Sequence, residues 1–182
     1  MNYMDMSSAV ERSDRMEKVI IIGCPGSGKS TFGRKLERIT GLPLYHLDMM
    51  YWNADRTIVE KPIFRERLAD AMSGDEWIID GNYSSTMEMR IAACDTVVFL
   101  DYPTEVCLAG INERRGRARV DMPWVELTED VEFTEYVKGF RESERPKIIE
   151  RIEKYKDGKN VIILKGRDEA DAFLSRLRGE EK

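Results

Sequence analysis

One stretch constrains this chain more than any other. Gly23, Cys24, Pro25, Gly26, Ser27, Gly28, Lys29, Ser30 and Thr31 spell a complete GxxxxGKS motif between an apolar run, Lys18 to Ile22, and an amphipathic segment with Phe32, Leu36 and Ile39 on one face. Glycines let the backbone curl so that successive amides point at one place, and the helix that follows adds the positive end of its dipole. A phosphate group fits there. Lys29 reaches the β and γ phosphates of a nucleotide, and the Ser30 hydroxyl can ligate Mg²⁺. Gly23, Gly26, Ser27, Gly28 and Thr31 complete the loop, and Cys24 contributes its backbone.

Beyond the loop, strand-like runs alternate with helical patterns, which predicts a parallel sheet covered on both faces. The runs are Lys18 to Ile22, Pro43 to Leu47, Trp77 to Asp80, Thr96 to Asp101 and Asn160 to Leu164. Helical patterns follow the loop, begin near Pro62, Thr104, Glu129 and Ser143, and close the chain from Asp168 to Arg178; an irregular stretch with Tyr51, Trp52 and Asn53 follows the second strand. The 182 residues suit one domain, 17–182, preceded by a flexible tail, 1–16, that lacks the apolar core of a signal peptide.

Charge narrows the function. With 29 basic and 34 acidic residues the chain carries a net charge of −5, which argues against a general grip on nucleic acid or anionic lipid, so an anion site has to be local. The longest apolar run, Val19 to Ile22, is too short for a membrane span. Three cysteines without a CxxC pair, and a single histidine, imply no disulfide framework and no zinc set. A reduced cytoplasmic protein is the expectation.

In a parallel sheet the loops after the strands' carboxyl ends form the ligand crevice. Asp48 follows the second strand and Asp80 the third, so both can face the phosphate loop, where a carboxylate holds Mg²⁺ waters or accepts a proton from an attacking hydroxyl. Asp101 precedes Pro103 and Thr104 and reads as a turn. Arginine offers a planar fork of donors to a transferring phosphoryl group. Arg90 lies ten residues after Asp80, while Arg114, Arg115, Arg117 and Arg119 fall in an irregular segment that reads as a lid excluding water. His46 receives no role. Tyr51, Trp52 and Tyr83 either flank an acceptor pocket or pack in the core.

Taken together, these motifs resemble the adenylate-kinase-like small P-loop proteins of bacteria often labelled DNA topology modulation proteins. The resemblance runs from Lys18 to Leu177. It rests on the loop, on Tyr45-His46-Leu47-Asp48, on Trp77 to Tyr83, on Arg114 to Met122 and on Arg145-Pro146-Lys147-Ile148. It implies that Asp80 supports Mg²⁺ and that Arg90 holds an acceptor phosphate. It further implies that Arg114, with Arg117 and Arg119, meets the transferring phosphoryl group, and that Lys165, Gly166 and Arg167 pack on adenine. Adenylate kinases carry Asp-Gly-Phe-Pro-Arg where this chain has Asp80-Gly81-Asn82-Tyr83-Ser84, so the acceptor need not be AMP. The region after the second strand is also similar to the acceptor region of shikimate and gluconate kinases, where an aspartate like Asp48 lies beside the substrate hydroxyl.

The expectation is a three-layer α/β P-loop NTPase fold with a five-stranded parallel sheet in the order 2-3-1-4-5. An acceptor-binding region spans about 49–75 and a short lid about 113–128. The expected activity is ATP- and Mg²⁺-dependent phosphotransfer to a small hydroxyl or phosphate acceptor by a monomer or homodimer. A DNA-linked ATPase and a nucleotide sensor without turnover are the alternatives.

Overall fold

The computed structural model describes residues 16–179, so the tail expected over 1–16 lies outside the described residues except for Met16. Five strands, β1 (Lys18–Gly23), β2 (Leu44–His46), β3 (Trp77–Asp80), β4 (Thr96–Leu100) and β5 (Asn160–Leu164), form one sheet in the order β2-β3-β1-β4-β5. Every pairing is parallel. All four residues of β3 and all five of β4 are buried, so both faces of the sheet are covered, as continuous apolar runs in parallel strands require. The order matches the sequence expectation.

Eight helices accompany the strands among the described residues: α1 (Lys29–Thr40), α2 (Leu47–Tyr51), α3 (Lys61–Met72), α4 (Ser84–Ala93), α5 (Thr104–Arg114), α6 (Val131–Ser143), α7 (Arg145–Tyr155) and α8 (Arg167–Leu177). Pro62 opens α3, where its missing N–H costs nothing. Asp130 caps α6 by accepting a hydrogen bond from the Phe133 N–H at 2.9 Å.

Two elements differ from the sequence reading. The second strand stops at His46, because the chain turns at Leu47 into the short helix α2, which carries Asp48 in its first turn. Helix α4 carries too weak an apolar stripe to be read from the sequence. Met87 and Ile91 point into the core, but so do Thr86 and the fully buried Arg90, and a charged residue inside the stripe hides the helical period.

No described helix is long and apolar enough to cross a membrane.

Candidate active site

The sheet presents the carboxyl ends of β1, β2 and β3 side by side, and the phosphate loop leaves β1 at that edge. The loop is fixed by backbone contact. A Cβ on Gly26 would stand 2.0 Å from the Cys107 carbonyl oxygen, and one on Gly110 of α5 would stand 2.0 Å from the Gly26 carbonyl oxygen, so glycine at both places lets loop and helix touch. Lys29 Nζ donates to the carbonyls of Gly23 and Cys24 at 3.0 and 3.1 Å, which holds the ammonium over the loop. Asn82, directly after Asp80-Gly81, exchanges two hydrogen bonds with Gly23: its Oδ1 accepts from the N–H at 3.0 Å and its Nδ2 donates to the carbonyl at 2.8 Å.

One open cleft of ≈ 1610 Å³ runs over the loop. That exceeds the roughly 300–1,000 Å³ of a single small-ligand pocket, leaving room for more than one small molecule. Lys29, Ser30, Asp48, Asp80, Arg114, Arg117 and Arg167 all line it, brought together from five parts of the chain.

The two aspartates sit in different settings. Asp80, buried at the end of β3, meets His46 Nδ1 at 2.7 Å. Burial works to lower the His46 pKa, but the hydrogen bond and charge of Asp80 outweigh it and the pKa is raised. Asp48 accepts a hydrogen bond from the Tyr83 hydroxyl at 2.6 Å. Burial pushes its carboxyl above the usual range, against the opposing pull of Tyr83 and Lys29. Tyr83, raised by burial and by Asp48, keeps its proton and acts as the donor. Its backbone is left-handed at φ +36°, a conformation that non-glycine residues adopt at a cost, which is concentrated at functional sites.

The segment expected to form a lid is a loop cinched at its base. Arg114 meets Glu126 through Nε and Nη2, both at 2.9 Å, and the Gly116 N–H donates to the Glu126 carbonyl at 2.7 Å. Arg114 therefore lines the cleft while engaged by its neighbour, and Arg117 is exposed on the loop. Asp121 comes down from the lid to the Ser30 hydroxyl, with Arg34 and Arg119 each 3.8 Å away. Burial works to raise the Asp121 pKa, but Arg119 and Ser30 overcome it and hold the carboxylate ionised.

The structure places three of the expected site residues elsewhere than in the cleft lining. Arg90 does not reach the cleft. Its guanidinium is fully buried, with Nη1 donating to the Gly81 carbonyl at 2.8 Å and Nη2 to those of Asn82 and Tyr83. It folds the 81–83 turn instead of offering its fork to an acceptor phosphate. Lys165 and Gly166 stand outside the cleft lining, and Lys165 faces a surface hollow with Asp101, Arg141 and Arg145. Of that trio only Arg167 lines the cleft. Asp101 has the structural part read for it: Arg145 grips both its oxygens at 2.7 Å.

The sequence reading passed over His46, Asn82, Asp121 and Gly110. Their one local signal was position: His46 and Asn82 flank the aspartates, and Asp121 closes the arginine run.

The parallel sheet in this order, with the GxxxxGKS loop at its edge, defines a P-loop protein of the nucleotide- and small-molecule-kinase fold. Solved structures share it. A shikimate kinase from Acinetobacter baumannii in complex with shikimate superposes with a TM-score of 0.57 at 16% identity, over 94% of this chain and 98% of that one. A shikimate kinase from Bacteroides thetaiotaomicron gives 0.53 at 17% identity, over 91% and 98%. In sequence, the chain is 33% identical over 98 residues to a shikimate kinase of Rhodococcus jostii (strain RHA1), covering 46% of this chain and 58% of that relative. The chain thus spans less than two thirds of the curated relative it matches. No protein-family model matches it.

Proposed function

We propose that this protein transfers the γ-phosphoryl group of ATP to a hydroxyl of a small acceptor. The observation that carries the reading is the convergence, in one cleft, of the phosphate loop with Lys29, the Asp80–His46 pair, and Asp48 held by Tyr83 beside aromatic walls. The likeness to shikimate kinases supports a kinase reading. The burial of Arg90 favours a hydroxyl acceptor over a nucleoside monophosphate, because the arginine expected to hold an acceptor phosphate is committed to three carbonyls.

The donors suit Mg²⁺. Ser30 and Asp80 bring hard oxygens to the cleft, the donor type that Mg²⁺ takes beside phosphate oxygens and water. When bound, the ion supplies charge neutralisation across the β and γ phosphates. The chain's own residues do the rest. The loop amides and Lys29 hold the triphosphate, and His46 fixes the orientation of Asp80. Asp48 holds the acceptor hydroxyl and takes its proton as the bond to phosphorus forms, a task its raised pKa suits. The lid arginines Arg114, Arg117 and Arg119 surround the transferring group, and Arg167 lines the nucleotide end.

The test is incubation with Mg·ATP and a panel of nucleosides, sugars, hydroxy acids and nucleoside monophosphates, with plasmid DNA as a separate arm, following ADP and phosphorylated product. A product made with one hydroxyl acceptor and lost in Lys29→Ala supports the reading. Hydrolysis raised only by DNA would replace it with the DNA-linked ATPase.

A further inference from the structure

Two segments overhang the open cleft, the flap of residues 52–58 after α2 and the lid, and Arg56 joins them. Residues 52–58 fold into a narrow hairpin. Trp52 and Ile58 pair as an antiparallel bridge, and the Asn53 N–H donates to the Thr57 carbonyl at 2.9 Å. The Arg56 N–H donates to the Asn53 carbonyl at 3.0 Å, and the Asp55 carboxylate accepts from the Thr57 N–H and hydroxyl at 3.0 and 2.6 Å. At the end of this turn Arg56 has φ +68°. Short hairpins place glycine at that left-handed position, because any Cβ there is strained. Local folding would be better served by glycine, so the side chain has to be retained for something else.

Its contacts say what. Arg56 Nη2 donates to the Val125 carbonyl at 3.0 Å, and the guanidinium lies 5.0 Å from the centroid of the Trp124 ring. Trp124 in turn meets Trp52 edge to face, with centroids 5.9 Å apart. Trp124 and Val125 belong to the lid; Trp52 and Arg56 belong to the flap. All but Val125 line the cleft.

We propose that Arg56 is a positioning residue: it fastens the acceptor flap to the lid through Trp124 and Val125, so that the two covers close as one and keep water from the transferring phosphoryl group. The water-excluding role rests on the phosphotransfer reading above. The clasp itself does not.

Arg56→Gly is the decisive variant because it removes the guanidinium and relieves the backbone strain together. Its thermal midpoint is expected to equal or exceed that of the native protein, so misfolding is not confused with lost clasping. The lid carries tryptic sites at Arg115, Arg117 and Arg119. In limited trypsinolysis followed by mass spectrometry, cleavage within the lid is expected to speed up several-fold in Arg56→Gly and in Trp124→Ala. The double variant should go no faster than the quicker single one, since both break the same contact. Arg56→Lys, which keeps a cation over the ring, should restore part of the protection. A native lid-cleavage rate in Arg56→Gly, or fully additive effects in the double variant, overturns the clasp. With Mg·ATP and no acceptor, phosphate release should rise several-fold in Arg56→Gly; an unchanged rate beside faster lid cleavage overturns the water-excluding role. Absence of ATP turnover in every arm, native protein included, would refute phosphotransfer itself while the proteolysis still decides the clasp.

Discussion

At the phosphate end of the cleft the contacts come from one continuous loop, residues 23–31, fixed backbone against backbone on α5. At the end proposed to take the acceptor, Asp48, Arg56, Tyr83 and Trp124 come from separate segments and meet through side chains. The first arrangement has almost no freedom, because a loop that touches a helix at Gly26 and Gly110 tolerates no added carbon. The second is adjustable. Rings and long side chains there can be exchanged without moving the sheet, so variation in acceptor would be expected at this end while the nucleotide end stays constant.

Four substitutions break or sharpen this contrast, from the largest effect to the smallest. Lys29→Ala should cut phosphotransfer by about 10²–10³-fold, the usual loss for one preorganised donor at developing charge. Its thermal midpoint should barely move, which steady-state kinetics and melting together would show.

Asp48→Asn should lose about 10²-fold of the rate or more, as expected for removal of a general base. It should also melt higher at neutral pH. A carboxyl whose folded pKa is raised costs stability once the solution is alkaline enough to ionise it; the cost is absent below its ordinary value of 3.8 and grows as pH rises through the folded pKa. The gain over the native protein should therefore vanish in melts at acid pH, and a midpoint difference independent of pH would contradict the assigned cause.

Arg90→Met should destabilise by about 3 kcal/mol or more, since it orphans three carbonyls at about 1–3 kcal/mol each. Denaturant unfolding measures this. A variant that folds as well as the native protein but shows a raised KM for a phosphorylated acceptor would return Arg90 to the cleft.

Gly110→Ala should cost about 1–3 kcal/mol by overpacking and weaken ATP binding, since the helix would push the loop away. Calorimetric titration of nucleotide alongside melting would separate the two effects.

The fold and the phosphate end were readable because both are written locally. Continuous apolar strands, alternating helical patterns and GxxxxGKS each follow from neighbours in sequence, so a five-stranded parallel sheet and the positions of Lys29 and Ser30 were available without coordinates, while the order 2-3-1-4-5 was implied by the resemblance to small P-loop kinases. Asp48 and Asp80 could be placed at the crevice because strand ends in a parallel sheet share an edge.

Partnership was not readable. Whether Arg90 faces an acceptor or three carbonyls depends on which side of α4 meets the core, and its own burial erased the pattern that would have revealed that helix. His46 on Asp80 spans 34 residues, Tyr83 on Asp48 spans 35, and Arg56 on Val125 spans 69. By itself the sequence determined the alternation of strands and helices and the phosphate loop, since short-range periodicity and backbone geometry suffice for them. Only the tertiary structure decided which charged and aromatic side chains face the cleft, because that choice is made by long-range packing and by the need to give every buried polar group a partner.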